Sequence, residues 1–535
     1  MQAPTDKSVA FKQQLEAERE QFRASLPSNV EQLWARHDRR IGVVLSGGGA
    51  RGAYEAGVLL AFQDARLPTH VIAATSVGSI NAAFYAGHSD TLVGNAEALV
   101  DSWSDVTPPA VGIDWFRYIL VLAGLIAASA GLGNMVREWL HEQGFYVHMH
   151  HPKLTWLSLM LTGLAVLFFY DDAPYLIYVV KNYFRKRHWI PEPSKVLRSL
   201  VANLVVGGGA LLFLFTAHVH VVPNERFNPG SETTLLTGAT LLMLLGLGFI
   251  FRNPVNKFSH KFLRLPLRTG LFPNFERTRY LRARIPVDRL RKSPIRLLMT
   301  AADVSTGTEK CFSNATQQQL MDDLHVDSAF VRNETKAADD LLLSVIASSA
   351  FPIVYETVLL QGDMWTDGGI VSNQPIRPAI RMGADVLFIV LVQPPIQRHG
   401  EIKTFLDLGV RALDILMSQN LKTDLRILNG VNSLCEQYAS EVGIRPEQIR
   451  LFVGERRYRY LKAFNIVPPE MLPMTVLDFD GAVTAPAVER GYRDAARAVQ
   501  SFAAYIAELP EVMAKHEVRL VGEKLSAVRS AGAIK

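Results

Sequence analysis

Only two cysteines occur in 535 residues, Cys311 and Cys435, so neither a disulfide framework nor a cysteine-rich metal cluster can be built, and a reducing compartment fits. A dominant charge is missing too. The 56 basic and 51 acidic residues leave a net charge of +5, too mild to imply nucleic acid but compatible with an anionic membrane surface. Between Met1 and about Arg40 no basic start leads into an apolar stretch, and no cleavable signal is expected. Internal repeats and low-complexity tracts are also absent. Hydrophobic residues, in contrast, make up 49% of the chain, high for a soluble enzyme, and they are unevenly distributed.

Much of that excess sits in four uncharged stretches, 119–136, 154–170, 199–222 and 233–251, of 18, 17, 24 and 19 residues. Roughly 17 to 25 apolar residues cross a bilayer core, so these read as about four membrane helices; the other reading is buried core helices or an in-plane lid. The intervening charges test the first reading. One side would hold Lys181, Arg185, Lys186, Arg187, Lys195 and Arg198, together with Arg252, Lys257, Lys261, Arg264 and Arg268. The other side would hold Arg137, Lys153 and Arg226. Because short cytoplasmic loops carry the excess of Lys and Arg, this asymmetry puts the flanking globular parts in the cytoplasm, in a multi-pass inner or plasma membrane protein.

Outside the insert the pattern is that of an α/β protein. Ile41 to Leu45 is an apolar run that stops at Gly47-Gly48-Gly49, and helical spacing follows from Ala53 to Ala61. Val71 to Thr75 repeats the arrangement, meeting Ser76 and Gly78 before a small-residue helix through about Ala86. Two strand, turn and helix units side by side imply a parallel sheet. Ile295 to Ala301 and Val386 to Val392 read as further buried strands, Ala338 to Ser349 as an apolar-faced helix, and 400–535 as mostly helical. Residues 8–40 read as a solvated charged helix.

Three motifs carry chemistry. Ala74-Thr75-Ser76-Val77-Gly78 is close to the G-x-S-x-G nucleophile elbow, which needs small residues two before and two after the serine so that strand and helix can pass; Ala74 departs by one methyl. The helix after Ser76 would aim its positive end at developing oxyanion charge. Gly47-Gly48-Gly49-Ala50-Arg51-Gly52 can turn backbone N–H groups inward as an oxyanion hole. Gly47, Gly49 and Gly52 also satisfy the dinucleotide fingerprint, but the second strand ends in Thr75 and Ser76, where a nucleotide site would want an acid. Asp367-Gly368-Gly369, followed by Asn373-Gln374-Pro375, offers a base flanked by glycines that let it approach another loop. A histidine base would be the usual partner of a serine, yet His399 and His516, the two beyond Asp367, follow no recognisable strand.

Taken in order, G-G-G-x-R-G, the x-S-x-G elbow and D-G-G resemble the patatin-like phospholipases, with further likeness at Ala347 to Pro352, Leu297 to Ser313 and Asp367 to Pro375. The resemblance covers roughly 40–105 and 268–500. It implies a patatin-like α/β fold, a mostly parallel sheet flanked by helices, interrupted here by the apolar insert. It also implies a dyad, with Ser76 as nucleophile and Asp367 as proton acceptor, and an oxyanion hole of Gly47, Gly48, Gly49, Arg51 and Gly52, with Gly48 and Gly49 the favoured donors. Arg51 either orders that loop or is a surface cation. Ala74, Gly78, Gly368 and Gly369 would shape elbow and base loop, with no metal or cofactor. The implied activity is hydrolysis of fatty-acyl esters of phospholipids or lysophospholipids at a bilayer; a lipid-binding or transport protein without turnover is the alternative. The expected organisation is a charged helical extension (1–39), first patatin-like part (40–110), hydrophobic insert (111–265), second patatin-like part (266–505) and C-terminal tail (506–535).

Overall fold

Burial along the first strand explains the layering. In Ile41–Leu45 (β1) every residue is buried, because alternate side chains enter opposite hydrophobic clusters: Val43 and Leu45 one, Val44 the other. The sheet is therefore covered on both faces. In this computed structural model the described residues are 6–36, 39–113, 269–272, 274–316, 331–332, 338–394, 405–453, 456–510, 516–521 and 524–527, with scattered positions between 114 and 268. The chain divides into two compact units, Met1–Ile113 with Phe272–Lys535, and Asp114–Leu271. All but a few residues of the four apolar stretches lie outside the described residues, and among those described no helix is long and apolar enough to cross a membrane.

The strands of the first unit used below are, after β1, Val71–Thr75 (β2), Arg296–Asp303 (β3), Glu309–Ser313 (β4), Val331–Arg332 (β5), Val358–Leu360 (β6), Asp363–Asp367 (β7), Val386–Val390 (β8), Ile449–Val453 (β9), Arg456–Arg459 (β10), Lys462–Ile466 (β11), His516–Val521 (β12) and Lys524–Ala527 (β13). The helices used below are Asp6–Ser25 (α1), Val30–Ala35 (α2), Ala53–Asp64 (α3), Val77–Gly87 (α4), Glu97–Ser104 (α5), Phe275–Arg282 (α6), Ala338–Ser348 (α7), Ile376–Arg381 (α8), Phe405–Val442 (α9) and Gly481–Ala507 (α10). The main sheet runs β11-β8-β1-β2-β3-β4-β5, parallel from β11 through β3, with β7 pairing antiparallel to β3 and β6 to β7. This is the mixed α/β architecture expected, a mostly parallel sheet flanked by helices.

Register places the site. Thr75, the last residue of β2, pairs with Thr300 of β3, and Asp367, the last of β7, pairs with the next residue, Ala301. Because β4 also pairs with Leu298 to Ala302, β2 and β7 must share the other edge of β3, end to end. Ser76 and Asp367 are thereby brought together although 291 residues separate them.

On one face α3 and α10 cross at backbone distance. A Cβ on Gly57 would lie 1.8 Å from the Val488 carbonyl oxygen, and one on Gly491 would lie 1.9 Å from that of Tyr54, so neither glycine can be replaced without separating the helices. Phe62, Phe388, Phe464 and Phe502 pack edge-to-face or stacked at their contact with the sheet.

Three regions differ from the sequence expectations. The N-terminal extension is not simply solvated: Leu15, Phe22 and Trp34 are buried against the core, and Arg19 pairs with Asp64 and Glu97. A sparse apolar stripe among charges is enough to dock a helix. The described residues of 400–535 are mostly helical, in α9 and α10, but they also hold strands that the sequence reading did not expect: β11 completes one edge of the main sheet and β9, β10, β12 and β13 form a second, four-stranded sheet. The segment 506–535 is correspondingly more than a tail, because β12 pairs in parallel with β9.

Candidate active site

Ser76 occupies the turn between β2 and α4 at φ 56° and ψ −127°, a left-handed conformation costly for a residue with a Cβ. A serine preceding a helix ordinarily caps it with its hydroxyl. Here the hydroxyl makes no cap and instead donates to Asp367 Oδ2 at 2.5 Å. The turn is possible because Gly78 presses on β1, where an added Cβ would lie 2.9 Å from that of Leu45. Ala74 is fully buried, so the extra methyl of the imperfect elbow is accommodated in the core. Three bonds set the rest of the turn: Thr75 Oγ1 donates to the Ser372 carbonyl (2.8 Å), and Ser348 Oγ accepts from the Ser76 amide (3.2 Å) while donating to the Thr300 carbonyl (2.6 Å).

Asp367 is fully buried. Its Oδ1 accepts from the Gly369 amide at 2.7 Å, and its own amide donates to the Ala350 carbonyl at 3.0 Å. Burial drives its carboxyl up to about 6, against the opposing hydrogen bonds from Ser76 and Gly369 and the charge of Arg277. Gly368 must be a glycine, since a Cβ there would meet the Thr300 carbonyl oxygen at 2.3 Å. This contact lets the base loop lie against β3.

The glycine loop divides by what its amides do. Gly47 donates to the carbonyl and side-chain oxygens of Asn373 (3.2 and 3.0 Å), Ala50 to the Val476 carbonyl, and Arg51 to the Gly48 carbonyl. The amides of Gly48 and Gly49 have no protein acceptor among the described residues, and both glycines line the same cavity as Ser76. That corrects the expectation for Gly47, whose N–H is occupied; its role is steric, a Cβ there lying 2.9 Å from that of Ser76. Gly52 likewise serves packing, against Val77. Arg51 is buried rather than a surface cation, with Nη1 donating to Gln393 (2.7 Å) and Nε to the Met474 carbonyl (3.3 Å), so it ties the loop to two distant segments.

Behind the loop, Asn81 Nδ2 donates to the Gly52 carbonyl and to Glu55 Oε2, each at 2.9 Å, and Trp103 Nε1 donates to Asn81 Oδ1 at 3.0 Å. A cavity of about 170 Å³ opens on Ser76, lined mainly by apolar side chains such as Phe84, Trp103, Tyr280, Leu281 and Phe479. Of the two histidines weighed as bases, His516 starts β12 in the second sheet and His399 lies outside the described residues. Ser348, Asn373 and Arg277 were not singled out as site residues by sequence. The first two lie within motif segments; Arg277 is one of four arginines between 277 and 284, with nothing to distinguish it.

The curated relatives match over short segments. Lysophospholipase nte1 of Aspergillus terreus is 44% identical over 54 residues, 10% of this chain and 4% of its own. A patatin-like phospholipase domain-containing protein of Caenorhabditis elegans is 43% identical over 63 residues, 12% of this chain and 4% of its own. This chain thus spans about 4% of the length of the curated relatives it matches. The crystal structure of VipD from Legionella pneumophila aligns over 87% of this chain and 67% of that one at 13% identity, with a TM-score of 0.30, and carries no weight. The family model described as patatin-like phospholipase matches residues 43–380, a span holding the glycine loop, Ser76 and Asp367. On that match, over more than half of its length, the chain belongs to the patatin-like phospholipase family.

Proposed function

We propose that the protein is a serine acyl hydrolase that cleaves fatty-acyl esters of phospholipids or lysophospholipids with Ser76 as nucleophile and Asp367 as base. The observation that carries this reading is the 2.5 Å contact between Ser76 Oγ and Asp367 Oδ2 beside a largely apolar cavity. As Ser76 Oγ attacks the ester carbonyl, Asp367 takes its proton, and the amides of Gly48 and Gly49 receive the carbonyl oxygen as it becomes an oxyanion. Collapse breaks the ester bond, and the proton on Asp367 leaves with the alcohol. Water, deprotonated by the same carboxylate, then releases the fatty acid and restores Ser76. The apolar side chains along the cavity are suited to an acyl chain.

The lipid setting also rests on the four apolar stretches and their lopsided flanking charge, which favour a membrane-inserted segment with the hydrolase on the cytoplasmic side. The test is fatty-acid release from lysophospholipid and diacyl phospholipid by detergent-purified protein, with fluorophosphonate labelling in parallel. Wild type should release fatty acid and take the label, and Ser76→Ala should do neither, a loss on the order of 10³-fold or more. Equal release by both proteins would sink the reading.

A further inference from the structure

Among the described residues, Arg51 and Arg277 are the arginines that line the cavity with Ser76, and the dyad chemistry gives Arg277 no role. It lies on α6, is 3% exposed, and lines the cavity that contains Ser76. A buried guanidinium normally pairs with a carboxylate. This one meets neutral acceptors: Nη1 donates to the carbonyl and hydroxyl of Ser349, and Nη2 donates to Asn274 Oδ1 (2.5 Å) and the Ile346 carbonyl (3.1 Å). Nε is buried without a partner, and the guanidinium stands 4.1 Å over the Tyr355 ring.

Those acceptors are informative. Ile346 belongs to the last turn of α7 and Ser349 follows it, so the fork clasps the turn that ends α7, where the Ile346 carbonyl also accepts from the Ser349 amide and the Ser349 carbonyl from the Phe351 amide. The same few residues touch both halves of the dyad: Ser348 Oγ accepts from the Ser76 amide, and the Ala350 carbonyl accepts from the Asp367 amide. The acidic groups whose charge reaches Arg277 are Tyr355, Asp367 and Glu356. Burial holds the Tyr355 hydroxyl protonated, pushing it up to about 12. Asp367 is the fully buried carboxyl among them.

We infer that Arg277 is the counter-charge of the dyad, a positioning residue that pins the end of α7 beneath Ser76 and Asp367 and balances the Asp367 carboxylate without touching it. The inference rests on the Ser–Asp reading above. The Asp367 carboxylate accepts from the Ser76 hydroxyl at the start of α4 and from the Gly369 amide of its own turn, both neutral, and Arg277 on α6 acts on it through charge alone. Removing a positive charge makes a carboxylate harder to form, so the pH at which Asp367 ionises must rise.

The experiment is fluorophosphonate labelling of Ser76 against pH in wild type, Arg277→Gln and Arg277→Lys, all full-length in detergent. In Arg277→Gln the acid limb should move up by about one pH unit, which lowers the ratio of labelling rates at pH 6 and pH 8 about fivefold. Arg277→Lys keeps the charge and loses the fork; its limb should stay at the wild-type position while the rate falls at every pH. A folded Arg277→Gln with the wild-type limb overturns the inference. Should Arg277→Gln not fold, adding Asp367→Asn should restore folding, because the carboxylate that lacked its counter-charge is gone, and failure of that rescue overturns it equally. Wild type that neither labels nor releases fatty acid would instead fail the hydrolase reading itself.

Discussion

The two members of the proposed dyad are held by opposite means. Ser76 is fixed chiefly by local structure: a buried strand, a strained turn and a helix compressed against β1 by Gly78. Asp367 is fixed by contacts from far along the chain, with Ala301 pairing it in register, Ala350 accepting from its amide and Thr300 crowding Gly368. The nucleophile's strained turn is therefore written within a few residues of sequence, with bonds from Ser348 and Ser372 added, whereas the base depends on two other segments, β3 and the turn at Ala350, arriving correctly. Burial dominates its ionisation, and a third segment, α6, opposes that burial through the charge of Arg277.

If that contrast holds, the base side is the more easily broken. Gly368→Ala should have the largest effect, because backbone rather than a flexible side chain stands 2.3 Å from the new Cβ. We expect a loss of about 2 to 4 kcal/mol, together with a fall in kcat greater than the fall in stability explains, as the Asp367 carboxylate is pushed from Ser76. Thermal melting and single-turnover acylation check this; a variant with wild-type melting and wild-type acylation would remove the steric argument. Ser348→Ala should cost less, about 1 kcal/mol, since it unpairs the Ser76 amide and the bond to Thr300 while leaving the strained turn in place. Its acylation rate should fall by less than that of Gly368→Ala. The reverse order would mean that the nucleophile, not the base, depends on distant support.

The same contrast explains what was legible in the sequence. The glycine loop, the elbow and Asp-Gly-Gly are short-range devices whose residue types are dictated by backbone sterics, and each can be read from a few letters. The role of Arg277 cannot, because it arises only when α6 packs beneath the end of α7, and nothing in the local run of arginines marks it. Asn373 occupies the Gly47 amide across 326 residues, which is why Gly47 was expected among the oxyanion donors and is not one. The strands of the last third were hidden for a different reason. In β10 the sequence Arg-Arg-Tyr-Arg offers no apolar alternation, and pairing with β9, with only Tyr458 packed on the small core behind it, makes it a strand. Docking of α1 was missed because its apolar residues are few, although Leu15 and Phe22, seven apart, share a face.

The central claim is that Asp367 is the group that accepts the proton of Ser76. Its carboxyl is raised by burial to about 6, so it is protonated below that pH and able to accept a proton only above it. The direct measurement is the rate of fluorophosphonate labelling of Ser76 from pH 4.5 to 8.5 in wild type and Asp367→Asn. Wild type should lose reactivity as pH falls through about 6, and Asp367→Asn should be slower on the order of 10³-fold and flat across that range. A near-wild-type rate in Asp367→Asn, or the same acid limb persisting without the carboxylate, would contradict the account.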